Sequence, residues 1–241
     1  MEKQTVRLEA DGFCVVKGVF SPDKIANFRD ILTQNLDEMG QTRNVAHSFH
    51  LAGFHRFSKF DWVTEQIETN PAILDFLRDY YCGSSFSTLG LSDITINRSQ
   101  QWHTDLLRGQ YAKYLDGVNP WARPKGDCIK ALVYLQNGKS LRIVQNSHRY
   151  PSPFDDRAIA DVAQAKNVTQ LSVRAGDVVM LDIRAIHRGS TDAEMSDPKL
   201  SENPKILLST VFGRTKSAFS EAMRIGNADR MQDWDSNYIQ L

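Results

Sequence analysis

The sequence is poor in cysteine. Cys14, Cys82 and Cys128 are the only three in 241 residues, odd in number, far apart and without a Cys-x-x-Cys pair. That argues against a disulfide framework and against a zinc site, and makes a reducing cytoplasm the expected setting. No charge of one sign prevails either, since 29 basic residues balance 29 acidic ones. No global field therefore draws the chain to nucleic acid or to an acidic membrane surface. Met1-Glu2-Lys3-Gln4-Thr5-Val6-Arg7 is polar and leads directly into patterned sequence, so neither a signal peptide nor a membrane-spanning helix is expected. Internal repeats and low-complexity tracts are missing as well. What is present is ordinary for a globular chain, 41% hydrophobic, 24% charged and 10% aromatic, and its length fits a single domain over residues 1–241.

Three regions differ in periodicity. In residues 1–83, Asp11-Gly12 is a turn and the β-prone run 13–20 reads as a strand. Ser21-Pro22-Asp23 then supplies an N-cap, a first-turn proline and an early acid. Ile25, Phe28, Ile31, Leu32 and Leu36 follow at helical spacing up to Gly40. Residues 41–60 hold His47, His50 and His55 with Arg43, Arg56 and Lys59 and no acidic residue; the spacing fits no standard metal pattern, and a solvated or substrate-facing loop is expected. Residues 61–68 read as a helix. Asn70-Pro71 opens another, with Ile73, Leu74, Leu77 and Tyr81 on one face and Gly83 as its stop.

From residue 84 to 213 short β-prone runs replace helices: 86–89, 94–96, 129–135, 141–144, 168–173, 178–183 and 206–212. Strands loaded with helices at the N-terminal end predict a mainly β fold with a helical buttress, a jelly roll or double-stranded β-helix of the cupin-like kind. The long irregular segment between Asp105 and Ile129, rich in Arg, Lys, Tyr and Trp, reads as a lid or as a loop packed onto the barrel by its aromatics. The polar tail 214–241 reads as a terminal helix or as part of an oligomer contact.

Within this framework Gln101-Trp102-His103-Thr104-Asp105 places an imidazole and a carboxylate two residues apart, on one side of an extended chain. Counting by two from Val179 through Leu181, Ile183 and Ala185 brings His187 to the same inward face of the following strand. Two His and one carboxylate on one face of a ferrous ion leave positions for substrates, the arrangement of non-haem iron oxygenases. A lone His at position 187 would more often be a core residue bonded to a carbonyl; the His-x-Asp pair is what distinguishes it.

These motifs resemble the phytanoyl-CoA dioxygenase-like branch of the Fe(II)/2-oxoglutarate oxygenases. The likeness runs from residues 11–21 through Trp102-His103-Thr104-Asp105, residues 141–149 with Ser147-His148, and Ala175-Gly176-Asp177 followed by His187. It implies His103, Asp105 and His187 as iron ligands, 2-oxoglutarate and O2 as cosubstrates, and a structural role for His148. It also implies oxidation, most simply hydroxylation, of a C–H bond in a small molecule, with release of succinate and CO2. Halogenating relatives have a small residue where Asp105 stands.

Two departures stand out. The family's arginine for the far carboxylate of 2-oxoglutarate corresponds here to Lys205, which carries the charge but not the bidentate fork; Arg98, Arg142 and Arg214 are rivals. The usual Pro-Gly before Ser-His is Gln145-Asn146, after a short Asn137-Gly138-Lys139-Ser140 connection. Basic stretches at 41–60 and 106–128 point to a small polar or anionic substrate. Two other readings stay open: a cupin-like metalloenzyme that does not use 2-oxoglutarate, and a non-catalytic β-barrel binding protein.

Overall fold

The structure, a computed structural model, describes residues 4–41, 47–153, 156–164 and 167–238. In chain order the elements are α1 (Gln4–Asp11), β1 (Phe13–Val16), α2 (Pro22–Gln34), β2 (Gly40–Gln41), β3 (Phe49–Ala52), α3 (Asp61–Glu68), α4 (Pro71–Tyr80), β4 (Phe86–Ile96), β5 (Cys128–Tyr134), β6 (Arg142–Val144), α5 (Asp156–Gln164), β7 (Val168–Gln170), β8 (Val178–Asp182), β9 (His187–Arg188), α6 (Asp192–Met195), β10 (Ile206–Arg214) and α7 (Ala218–Tyr238). A seven-stranded sheet in the order β1-β8-β5-β10-β4-β3-β2 and a three-stranded sheet β7-β6-β9 are antiparallel at every pairing. The protein is thus mainly antiparallel β with helices. No helix among the described residues is long and apolar enough to cross a membrane.

Strand β5 shows why the sheet has two covered faces. All seven of its residues are buried, as expected of a strand packed on both sides. Ile129, Ala131 and Val133 join a core with Phe28 and Leu32 of α2, Ile67 of α3 and Leu77 of α4. Leu132 and Tyr134 point the other way, with Leu141 and Ile143 beside β6 and Val179 and Leu181 of β8. Each such aliphatic side chain removed from water contributes roughly 1.5–3 kcal/mol. The helices are set by local signals: the Ser21 hydroxyl accepts from the Lys24 N–H to start α2, and the Asn70 carbonyl oxygen accepts from Ala72 and Ile73 to start α4.

Several boundaries move from the sequence expectation. The first strand stops at Val16, because Gly18 takes a left-handed φ of 63° and its N–H turns to the Asp177 carboxylate. The runs 86–89 and 94–96 are one strand, β4, continuous through Gly90 at φ 69°. Part of the expected loop 41–60 is strand β3, with His50, Leu51 and Ala52 buried; Arg43 lies outside the described residues.

The segment after Asp105 is packed down rather than open. Leu106, Leu107 and Leu115 share a cluster with Phe219, Ala222 and Met223 of α7, and the Tyr111 and Tyr114 hydroxyls donate to Asp233 and Asp229 at 2.6 and 2.7 Å. A Cβ on Gly226 would meet Leu107 at 2.3 Å, so glycine permits this approach. The far end of the segment is held by fully buried Arg184. Its guanidinium clasps both Asp182 oxygens at 2.9 and 2.7 Å and donates to the carbonyls of Pro120, Arg123 and Pro124. The aromatic-packing reading of this segment therefore describes it better than a free lid.

Candidate active site

Two reciprocal backbone bonds build the site. The His103 N–H donates to the His187 carbonyl and the His187 N–H to the His103 carbonyl, each at 2.9 Å, forming an isolated antiparallel bridge. In such a hydrogen-bonded pair the two side chains leave the same face. The rings accordingly lie 4.2 Å apart between centroids. The Asp105 N–H donates to the Ile183 carbonyl at 2.9 Å and so brings the carboxylate alongside. One ligand atom from each of His103, Asp105 and His187 lies within 4.8 Å of the others, the three residues singled out by sequence.

The route to His187 differs from a count by two. After β8 the chain turns at Ile183 to Ala185, with the Ala185 N–H bonded to the Asp182 carbonyl, before β9 starts at His187. Ile183 consequently packs with Leu106, Leu107 and α7, while Ala185 packs with Leu181 between the sheets. The turn is fixed by Asp182, whose side chain accepts the Arg184 N–H as well as its guanidinium.

Hydrogen bonding sets the tautomers. Carbonyl oxygens only accept, so His103 Nδ1–H donates to the Gln101 carbonyl at 2.7 Å and His187 Nδ1–H to the Ala185 carbonyl at 2.9 Å. Both Nε2 lone pairs remain available as ligands. The Gln100 amide donates to His103 Nε2 at 2.7 Å and must swing aside for a cation. Asp105 divides its oxygens: Oδ1 accepts from Lys130 Nζ at 3.1 Å, whereas Oδ2 is buried without a hydrogen-bond partner, 3.5 Å from His187 Nε2. An orphaned buried oxygen costs roughly 1–3 kcal/mol or more, which a cation would recover. Two imidazole nitrogens and one carboxylate oxygen suit a first-row divalent metal, so the residues fit a ferrous ion.

Electrostatics favour the ligand forms. Burial, reinforced by His103, pushes the His187 pKa down to about 3, keeping the ring neutral. Burial alone would push the Asp105 carboxyl up, but Lys130, His187 and His103 outweigh it and hold it well below the usual carboxylate range.

Two cavities meet at these residues. A narrow one is lined by His187 and Lys130 and reaches Ser140, Ser190 and Lys205 between walls of Leu132, Tyr134, Leu141 and Leu207. A larger one, of about 390 Å³, is lined by His103, Asp105 and Lys130 and extends to Asn227, Arg230 and Trp234 of α7. Lys205 Nζ donates to both the Ser140 and Ser190 hydroxyls, and burial lowers its pKa to about 8. Arg98 lines both cavities. Arg142 lines neither, and instead faces Glu194 at 3.6 Å. Arg214 is remote, bonded to Asp127 and Ser84, and His148 bonds the Glu9 carbonyl as a structural residue.

Sequence reasoning missed Lys130, although a lysine inside the otherwise apolar run Cys128 to Tyr134 was a usable signal. It also missed Asp93, Arg230 and Trp234, which only the packing of α7 and β4 brings to the site.

No family model matches the chain, and no curated protein matches it. Solved structures do share its fold. The epimerase SnoN in complex with Fe3+, alpha ketoglutarate and nogalamycin RO superposes with a TM-score of 0.65 at 17% identity, covering 88% of this chain and 82% of that one. HygX from Streptomyces hygroscopicus with nickel, 2-oxoglutarate and hygromycin B bound gives 0.63 at 18% identity, over 90% and 88%. SnoK, a non-heme alpha ketoglutarate dependent carbocyclase from nogalamycin biosynthesis, gives 0.65 at 14% identity, over 89% and 84%. At these identities the likeness is one of fold.

The Lys130–Asp105 pair yields a prediction. Removing one member of a buried ion pair leaves an uncompensated charge at a cost of about 3–5 kcal/mol. Lys130→Met should lower the thermal unfolding midpoint of the metal-free protein, and added Ni(II) should raise that midpoint more in the variant than in wild type, because the cation replaces the lost charge. An equal metal shift in both would contradict this account of the pair.

Proposed function

We propose that the chain is an Fe(II)/2-oxoglutarate-dependent oxygenase, of the phytanoyl-CoA dioxygenase-like kind that its motifs resemble, folded as one double-stranded β-helix domain over residues 1–241. Its reaction is hydroxylation of a C–H bond in a small polar or anionic metabolite, with 2-oxoglutarate and O2 consumed and succinate and CO2 released. The observation that carries this reading is the convergence of His103, Asp105 and His187 at the junction of two cavities, one of which reaches the half-buried Lys205. The fold neighbours support it, since SnoN and HygX were solved with 2-oxoglutarate and a metal ion. Three free cysteines fit a cytoplasmic setting.

His103 and His187 through Nε2, and Asp105 through Oδ2, would hold the iron, which supplies the chemistry that couples 2-oxoglutarate decarboxylation to substrate oxidation. Lys130 keeps Asp105 Oδ1 occupied, which would leave Oδ2 as the oxygen for the metal. Lys205 receives the far carboxylate of 2-oxoglutarate. Each serine hydroxyl that accepts from its ammonium retains its own O–H to donate, so Lys205, Ser140 and Ser190 together replace the fork of an arginine. Arg98 stands beside both cavities as a further cationic contact. The apolar walls of Leu132, Leu141 and Leu207 keep water from the narrow cavity. A cupin-like metalloenzyme without 2-oxoglutarate would have no use for a charged lysine flanked by two hydroxyls in that cavity.

The test is turnover. Fe(II)-loaded protein supplied with 2-oxoglutarate should form succinate only when O2 is present, and His103→Ala should reduce the rate by at least about 100-fold. Iron binding without succinate would favour the metalloenzyme that does not use 2-oxoglutarate, and no iron binding would favour a binding protein.

Lys205 adds a pH signature. In the free protein it loses its proton near pH 8, because burial disfavours the charge. A bound carboxylate favours the charged form, so 2-oxoglutarate affinity should be level below pH 8 and fall by up to about tenfold per pH unit above it. Lys205→Arg, charged throughout, should flatten the profile. An identical decline in that variant would remove Lys205 from the cosubstrate site.

A further inference from the structure

The larger cavity carries an imbalance of charge. Its lining holds four cations, Arg98, Arg108, Lys130 and Arg230, against two carboxylates, Asp93 and Asp105. Lys130 is paired with Asp105 at 3.1 Å, and the other carboxylate of the lining, Asp93, has Arg230 against it.

Asp93 does not saturate Arg230. Its Oδ1 lies 3.9 Å from Arg230 Nη2 and 3.5 Å from His50 Nε2, and none of these atoms has a hydrogen-bond partner; Arg230 Nε is likewise buried and unbonded. His50 contributes no compensating charge: burial lowers its pKa and keeps the ring neutral, edge-on to Trp234 at 4.8 Å between centroids. Asp93 therefore neighbours the guanidinium of Arg230 without bonding it, and the buried Nε and Nη2 donors remain to be met. Arg230 and Trp234 come from α7, which also contributes Asn227 to the lining.

We infer that this cavity recognises its substrate through an anionic group, a carboxylate or a phosphate, received by Arg230 with Arg98 beside it, and that α7 is the element that determines substrate choice. Guanidinium donors match both oxyanions in bidentate geometry, and water-poor surroundings strengthen the contact. The inference rests on the metal cluster being the reaction centre, since that is what makes the adjoining cavity a substrate site. The anion would anchor one end of the substrate, with the C–H bond to be oxidised directed toward His103 and Asp105.

The experiment uses the full chain loaded with Co(II) and 2-oxoglutarate, with binding of each verified first. Inorganic phosphate and, separately, acetate are titrated in, and paramagnetic broadening of the phosphorus or carboxyl-carbon resonance reports an anion held near the metal. Saturable broadening by either anion is expected, weakened at least about tenfold in Arg230→Gln and largely retained in Arg230→Lys, with 2-oxoglutarate affinity unchanged in both. Which anion binds more tightly identifies the group. Loaded protein that broadens neither anion, or broadens them equally in wild type and Arg230→Gln, overturns the inference and leaves the proposed function standing. Failure to bind Co(II) and 2-oxoglutarate overturns both.

Discussion

The pair of backbone hydrogen bonds between His103 and His187 is the constraint on which the site depends. The two residues are far apart in sequence, and neither belongs to a long strand. Only the reciprocal bridge, with the adjacent bond from Asp105 to Ile183, aligns three side chains on one face. The bridge in turn requires the chain to leave the large sheet at Asp182 and enter the small one at His187. That crossing is made rigid by the buried Arg184–Asp182 clasp and by the Ser147 hydroxyl, which accepts the Ile186 N–H at 2.8 Å. Loss of either sheet would separate the ligands, so the architecture and the site are one requirement.

Charge is arranged around that geometry at some cost to stability. A buried lysine, three buried imidazoles and two half-buried carboxylates line the two cavities, where leucine or valine would pack at less cost. Lys130 and Asp105 compensate each other in part, and burial lowers the pKa of His187 and of His50, keeping both rings neutral. The orphaned atoms that remain, Asp105 Oδ2 and those of the Asp93–Arg230 group, belong to residues that line the larger cavity. A fold that tolerates such groups retains them for what they bind.

Much of this was legible in the sequence. The strands announced themselves as short β-branched runs, α2 and α4 carried their caps and prolines, and His-x-Asp with a distant His named the ligand cluster. His187 was reached by a period of two that the structure does not follow, since the turn at Ile183 to Ala185 depends on a side-chain clasp with no periodic signature. Helix α1 and helix α5 were not anticipated: α1 buries only Leu8, so its sequence reads as a polar terminus. Lys205 was found by position, but its two serine partners come from separate segments and could be joined only in three dimensions. The same holds for Asp93, Arg230 and Trp234, whose meeting depends on how α7 lies across β4.

The central claim is that His103, Asp105 and His187 form one metal site and that 2-oxoglutarate binds beside it. Anaerobic calorimetry tests this most directly, with Fe(II) titrated into the purified chain and 2-oxoglutarate added afterwards. The account predicts one iron per chain, 2-oxoglutarate binding that requires the iron, and loss of both in Asp105→Ala. Iron binding that survives Asp105→Ala unchanged, or 2-oxoglutarate binding that is equally tight without iron, would contradict it.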